Sequence, residues 1–206
     1  MPEHNSPVPT APSPTRMLLY LDLQCYRDIL LIRFQNVPWN AFALRQWEEL
    51  DRVFTALLSD DGEEARELLP GVRSSVHGAV LVGSKTMFSV GNDTTIWKSA
   101  SDAYKQAWLS AAQTCRTHLA ELVTKLPVVA ALSGYTCGEA WELATQCSYR
   151  VMGDNARLYP SPERGFISPK DALAAGMVEC LAAPDLVLNE AQEWLLDRRR
   201  NDGTDR

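Results

Sequence analysis

The feature that most constrains this fold is a pair of wholly apolar runs, each released into a glycine turn. The first, Gly78-Ala79-Val80-Leu81-Val82-Gly83, leads into Met87-Phe88-Ser89-Val90-Gly91-Asn92-Asp93. The second, Leu126-Pro127-Val128-Val129-Ala130-Ala131-Leu132, leads into Ser133-Gly134-Tyr135-Thr136-Cys137-Gly138-Glu139, and Ala140-Trp141-Glu142-Leu143-Ala144 then reads as helix. Short runs without polar alternation are strands covered on both faces, as in a parallel sheet between helical layers. A strand that ends in a glycine turn leaves main-chain N–H groups free at the head of the next element, and a helix amino end adds partial positive charge there. Two such ends side by side make a pocket for a developing oxyanion. Two ordinary strand-to-helix turns of an α/β domain would look the same in sequence.

At 206 residues, with 46% hydrophobic and 22% charged residues, the chain suits one compact domain with a sizeable core. A net charge of -6 and a pI near 5.1 give no electrostatic footprint for nucleic acid. The run Arg198-Arg199-Arg200 lies between Asp197 and Asp202 and reads as a solvated helix end. No apolar stretch approaches the roughly 20 residues of a membrane helix. Cys25, Cys115, Cys137, Cys147 and Cys180 are odd in number and lack a metal-ligand spacing, so no metal is expected. Small buried thiols in a reducing intracellular compartment (cytoplasm, mitochondrion or peroxisome) fit best. His4, His77 and His118 have no sequence-local partners.

Met1–Arg16 is rich in Pro, Ser and Thr and is expected to be disordered; a transit peptide is the alternative, and Glu3 with a lone Arg16 argues against a strong one. A single domain over 17–200 and a loose tail over 201–206 complete the layout. Within the domain, Met17–Leu23 and Asp28–Phe34 read as strands joined through Gln24-Cys25-Tyr26-Arg27 as a hairpin. Helical spacing of Leu44, Trp47, Leu50, Val53, Phe54 and Leu57 predicts a helix over 43–58. Residues 60–67 are acidic and expected at the surface, with Pro70-Gly71 as a turn. A long helix is predicted over 101–125, then a strand over 128–132, a helix over 139–146, a strand over 149–152, and helices over 169–175 and 185–199. Strands alternating with helices predict an α/β layer architecture with a mainly parallel sheet.

Three local matches together resemble the crotonase superfamily, the enoyl-CoA hydratases and isomerases. Asn36-Val37-Pro38 with Asn40-Ala41, followed by Glu49-Leu50 in a helix, is similar to the family's Asn-Arg-Pro … Asn-Ala … Glu-Leu opening. Val82-Gly83 … Phe88-Ser89-Val90-Gly91-Asn92-Asp93 resembles its Gly … Phe-Ser-Ala-Gly-x-Asp loop. Lys125-Leu126-Pro127-Val128-Val129-Ala130-Ala131 … Gly134 … Gly138 … Glu142-Leu143-Ala144 … Cys147 resembles its Lys-Pro-x-Ile-Ala-Ala … Gly-Gly-Gly … Glu-Leu-Ala … Cys-Asp block. The resemblance covers 17–167, with an echo over 171–178. It implies the ClpP/crotonase ββα superhelix and a thioester oxygen held by two main-chain N–H groups, here those of Asn92 and Glu139. Ala41, Ser89, Gly91 and Gly138 would lie along the substrate.

Acid/base work in the family falls to glutamates, which places Glu142 and, in Ser161-Pro162-Glu163, Glu163 in that role. Two carboxylates sharing a water could hydrate an enoyl-CoA; one could move a proton between carbons. Coenzyme A enters as part of the substrate, with no metal or redox cofactor. The family also implies a trimer-based homo-oligomer, or a subunit of a hetero-complex. Three departures bear on this. The glycine triplet is reduced to Gly138-Glu139-Ala140, so a carboxylate stands where a thioester should approach and would repel an enolate unless it turns away. Gly165-Phe166-Ile167-Ser168 runs straight into Pro169, where the family has roughly thirty further residues that wall the acyl pocket and build the trimer. The C-terminal helices are also short. The competing expectation is therefore a non-catalytic crotonase-fold subunit or scaffold.

Overall fold

In a computed structural model of the chain, the described residues are 18–59, 67–69 and 76–201. The expectations placed on residues 1–16, 60–66, 70–71 and 202–206 lie outside them. Strands β1 (Leu21–Tyr26) and β2 (Ile29–Phe34) precede helix α1 (Leu44–Leu58). Three strand pairs come next: β3 (Gly78–Val82) with β4 (Met87–Ser89), β5 (Val128–Leu132) with β6 (Tyr135–Cys137), and β7 (Tyr149–Gly153) with β8 (Arg157–Tyr159). Helices α2 (Thr94–Ser99) and α3 (Asp102–Lys125) follow the first pair, α4 (Gly138–Thr145) the second and α5 (Pro169–Ala174) the third. Strand β9 (Cys180–Ala182) and helix α6 (Val187–Asn201) close the described chain.

The first strand of each pair joins a six-stranded sheet of order β1-β2-β3-β5-β7-β9, and the second joins a three-stranded sheet of order β4-β6-β8. All pairings between these strands are parallel except β1 with β2. This is the repeating strand–strand–helix architecture expected from the sequence. The period of two in the large sheet explains the unbroken apolar runs. Leu81, Ala130 and Leu132 face one layer with Trp47, Phe54, Trp108 and Leu119 of α1 and α3. Val80, Val129, Ala131 and Val151 face the other, with Val187, Ala191 and Leu195 of α6. Each face is covered by helix, so neither needs polar residues.

Some boundaries move. The hairpin turn is Arg27-Asp28, not the four residues from Gln24 to Arg27, and both take positive φ (50° and 62°). That pair of angles matches the twist of a two-residue hairpin, and the usual Asn-Gly signal is absent. Asn201 belongs to α6 rather than to a loose tail. Glu49 on α1 is fully buried, accepts hydrogen bonds from the Leu19 and Tyr20 N–H groups at 2.9 Å, and pairs with Arg45 at 2.9 Å. It fixes the entry of the chain into β1.

The thiols follow burial. Burial pushes Cys147 up to about 12 from an ordinary 9.0, and Cys115 well above that value as well. Cys25 is exposed, though burial of part of its surface and the Asp28 carboxylate raise it too. Because the thiolate is the nucleophile, native protein at pH 8 should react with iodoacetamide first at Cys25. Cys115 and Cys147 should remain unmodified until the protein is unfolded, as read by peptide mass. Both buried thiols are neutral in the folded state, so stability should fall as pH rises from about 9 toward 12.

Candidate active site

The parallel order of the small sheet puts the C-terminal ends of β4, β6 and β8 at one edge. Three loops therefore leave side by side: Gly91-Asn92 after β4, Gly138-Glu139 after β6, and the segment carrying Glu163 after β8. Loops at strand C-termini are where α/β sheets place ligands. Sequence alone puts these residues in turns; the second sheet is what brings them to one edge.

The β4 loop is held from below by the Asn36–Phe42 segment. The Asn40 side chain donates to the Met87 and Phe88 carbonyl oxygens (3.2 and 3.1 Å). The Ser89 hydroxyl donates to Asn40 O at 2.7 Å and accepts from the Gly91 N–H at 3.0 Å. Ser89 is fully buried and Ala41 nearly so, with the Ala41 carbonyl taken by Asn36 at 2.6 Å. Both shape the loop rather than offering side-chain atoms to a ligand. Phe42 N donates to Gly91 O (2.7 Å) and Asp93 N to Phe42 O (2.8 Å), which sets the plane of the Gly91–Asn92 peptide. Gly91 has φ of 79°, and a β-carbon there would lie 2.8 Å from Cys137 O, 2.9 Å from Glu139 Oε2 and 3.2 Å from Glu139 N. Both angle and space require glycine. The same figures place the amino end of α4 directly against the Gly91 turn.

The Glu139 carboxylate does not turn away. Its Oε2 accepts the Asn92 main-chain N–H at 3.2 Å, at the place expected for a thioester oxygen. Helix α4 makes no side-chain cap bond at Cys137. Gly138, at φ of 48°, faces open space.

Glu142 lies on the outer face of α4, 62% exposed, and pairs with Arg116 of α3 at 3.8 Å. That guanidinium sits 5.8 Å from the centre of the Trp47 ring. An exposed pair of this kind contributes about 0–1 kcal/mol. Glu163 is exposed, in a turn where the Arg164 and Gly165 N–H groups donate to Ser161 O at 3.2 Å. The Ser161 hydroxyl and the turn's own backbone hold its carboxyl below the usual range, favouring the ionised form. Among the described residues, no hydrogen bond or ion pair joins Glu142 to Glu163, or either to Asn92 or Glu139.

Sequence reasoning treats Trp47 and Trp108 only as apolar helix-face residues. Both are fully buried, yet both indole N–H groups donate to Asn92 Oδ1, at 3.2 and 3.1 Å. The polar tip of a buried indole needs a partner, and that need is the available signal. Asp93, not Asn92, caps α2, accepting from Thr95 and Ile96 N–H. A separate groove of about 490 Å³ between α1 and α3 is lined by Glu48, Asp51, Arg52, Ser110 and Thr114 and contains none of these residues. Among the described residues there is no group of three His, Cys, Asp or Glu side chains arranged to hold a metal ion, and no helix long and apolar enough to cross a membrane.

The family model for enoyl-CoA hydratase/isomerase matches residues 24–170, and the chain belongs to that family. It is 30% identical over 166 residues to "Probable enoyl-CoA hydratase EchA17" of Mycobacterium tuberculosis, an alignment covering 65% of this chain and 60% of that protein. The chain thus spans about three fifths of the length of the curated relatives it first matches. Among solved structures, Pseudomonas aeruginosa DspI superposes with a TM-score of 0.78 at 16% identity, covering 92% of this chain and 84% of that one. Enoyl-CoA hydratase from Bacillus anthracis gives 0.75 at 18% identity, covering 87% and 76%. These superpositions establish the crotonase fold.

Proposed function

We propose that this chain is a crotonase-fold protein that binds acyl-CoA thioesters at the Asn92 and Glu139 amides, with its own Glu139 carboxylate suppressing hydratase turnover. One observation carries the reading: the Asn92 N–H donates to Glu139 Oε2 at 3.2 Å. The magnitudes favour suppression. One oxyanion donor contributes about 3–4 kcal/mol to a transition state. Two like unit charges 4 Å apart near a protein surface repel by about 4 kcal/mol, enough to cancel it. Glu142 is instead engaged with Arg116 at 3.8 Å, and Glu163 stands exposed in its turn, which supports a site without a paired acid and base.

The test is hydration of crotonyl-CoA, followed by loss of the enoyl absorbance. The native chain should show no rate above the uncatalysed reaction, and Glu142→Gln should change nothing. A measurable rate that Glu142→Gln abolishes would overturn the reading and restore the enzymatic one, with Glu142 as acid/base and Glu163 as its partner.

A second reading, a non-catalytic subunit of a larger assembly, is favoured by Phe166 (61% exposed) and Tyr135 (45% exposed). Their rings meet edge-to-face at 6.1 Å beside the short join into α5. Solution mass separates the cases: a trimer keeps the family's assembly, and a monomer leaves this face for another partner.

A further inference from the structure

We propose that His77 is an acid-sensitive latch that seats the C-terminal end of α6 against the β1–β2 hairpin. The latch is built on one guanidinium. Arg199 Nη1 carries two hydrogens and meets two groups at 3.2 Å each, Asp28 Oδ2 and His77 Nδ1. A guanidinium nitrogen only donates, so His77 Nδ1 is the acceptor and carries no proton. The imidazole is then neutral, with its one hydrogen on Nε2, an atom enclosed by the protein. The three residues come from three elements. Asp28 is in the hairpin turn, and its carbonyl oxygen accepts the His77 N–H at 3.0 Å. His77 directly precedes β3, and Arg199 lies in the last turn of α6. The next residue, Gly78, is held by pairing with Ile29 of β2, and a β-carbon on it would lie 2.7 Å from Leu195 Cδ2. Arg199, one turn beyond Leu195, thus continues a close apolar contact with a polar one.

Protonating Nδ1 removes the acceptor and sets an imidazolium against the guanidinium. Enclosure of Nε2 adds a desolvation cost to the new charge. Among the described residues, the hairpin brings Arg27, Asp28 and Cys25 to this corner, and α6 brings Asp197, Arg198, Arg199 and Arg200. Arg198 lies 5.6 Å from the centre of the Trp194 ring, and Arg200 pairs with Asp197 at 2.6 Å. Asp28 is already engaged by Arg199, so a further positive charge meets more cations than anions. The Cys25 thiol, raised by burial and by the Asp28 carboxylate, stays neutral in acid and adds no charge. The neutral imidazole is therefore favoured while α6 is seated. Once α6 is released, an unrestrained imidazole titrates near pH 6.5. The open form then binds more protons below that value, so seating is complete above it and weakens as pH falls through it.

The test is hydrogen exchange on the full chain, read by peptide mass at about pH 7.5 and about pH 5.5 and corrected for the intrinsic exchange rate. Protection of the last turns of α6 should fall about fivefold on acidification, while residues 102–113 of α3 stay within about twofold. His77→Asn places a side-chain oxygen where Nδ1 stands and does not titrate; α6 should then stay protected at both pH values. Arg199→Met removes the donor, and α6 should exchange fast at both. A merely structural contact would lower protection in each variant and leave its pH dependence as in the native chain. Native protection of α6 that ignores pH, or a fall of the native size persisting in either variant, would overturn the latch.

Discussion

Glu139→Gly is expected to tighten butyryl-CoA binding by roughly 10- to 100-fold while leaving the fold intact. In the ligand-free chain a thioester oxygen must displace the Glu139 carboxylate from the Asn92 N–H. A hydrogen bond to a charged group has a net value of about 1.5–3 kcal/mol, which a ligand no longer competes against once the side chain is gone. Glycine also removes a charge that repels an enolate. The substitution sits at the first turn of α4, where Glu139 is its acidic residue, so loss of the favourable helix-dipole contact should cost about 0.3–1 kcal/mol of stability. Titration calorimetry and a thermal melt on both chains separate these effects. Unchanged or weaker binding in the variant would mean that the carboxylate does not stand in the ligand's place.

Gly134→Ala should destabilise the protein by about 4 kcal/mol, from strain at positive φ and from overpacking together. Gly134 has φ of 62°, and a β-carbon there would fall 1.8 Å from the Thr86 carbonyl oxygen and 2.7 Å from Met87 N. These are backbone atoms at the bridge between Gly134 and Met87, so no side-chain rotation relieves the clash. The Gly134 carbonyl also accepts the Arg157 N–H at 2.8 Å, which ties the third strand of the small sheet to the same point. At about 2–4 °C per kcal/mol for a domain of this size, Tm should fall by about 8–16 °C. Gly176→Ala is the control: its φ is 66°, but nothing lies within 4 Å, so only the conformational strain of about 1–2 kcal/mol should appear. Similar losses at the two positions would mean that the Thr86 contact is unimportant.

The central strands of the large sheet are legible in sequence because they are longer and apolar on both sides: the expected Val128–Leu132 matches to the residue, and the helices flanking it to within one or two, whereas the edge strand Cys180–Ala182, three residues long, is missed. The small sheet is not, because Met87–Ser89, Tyr135–Cys137 and Arg157–Tyr159 are three residues each, too short for a period of two to show. That sheet is what assembles the candidate site. Motif order can therefore name Asn92 and Glu139 but not how they meet. The same motif marks Glu139 as a foreign carboxylate without revealing where its oxygens settle, since a flexible side chain near two amides has no sequence signature. The indole contacts to Asn92 span 45 and 16 residues and emerge only once α1 and α3 are packed together.

Each loop at the site belongs to a separate strand–strand–helix unit whose first strand is locked in the large sheet. The loop of one unit, such as Glu139 and Ala140 of the second, lies outside the hydrogen-bond ladders of its neighbours. Residues at the candidate site can therefore be exchanged one loop at a time, while the scaffold that displays them persists.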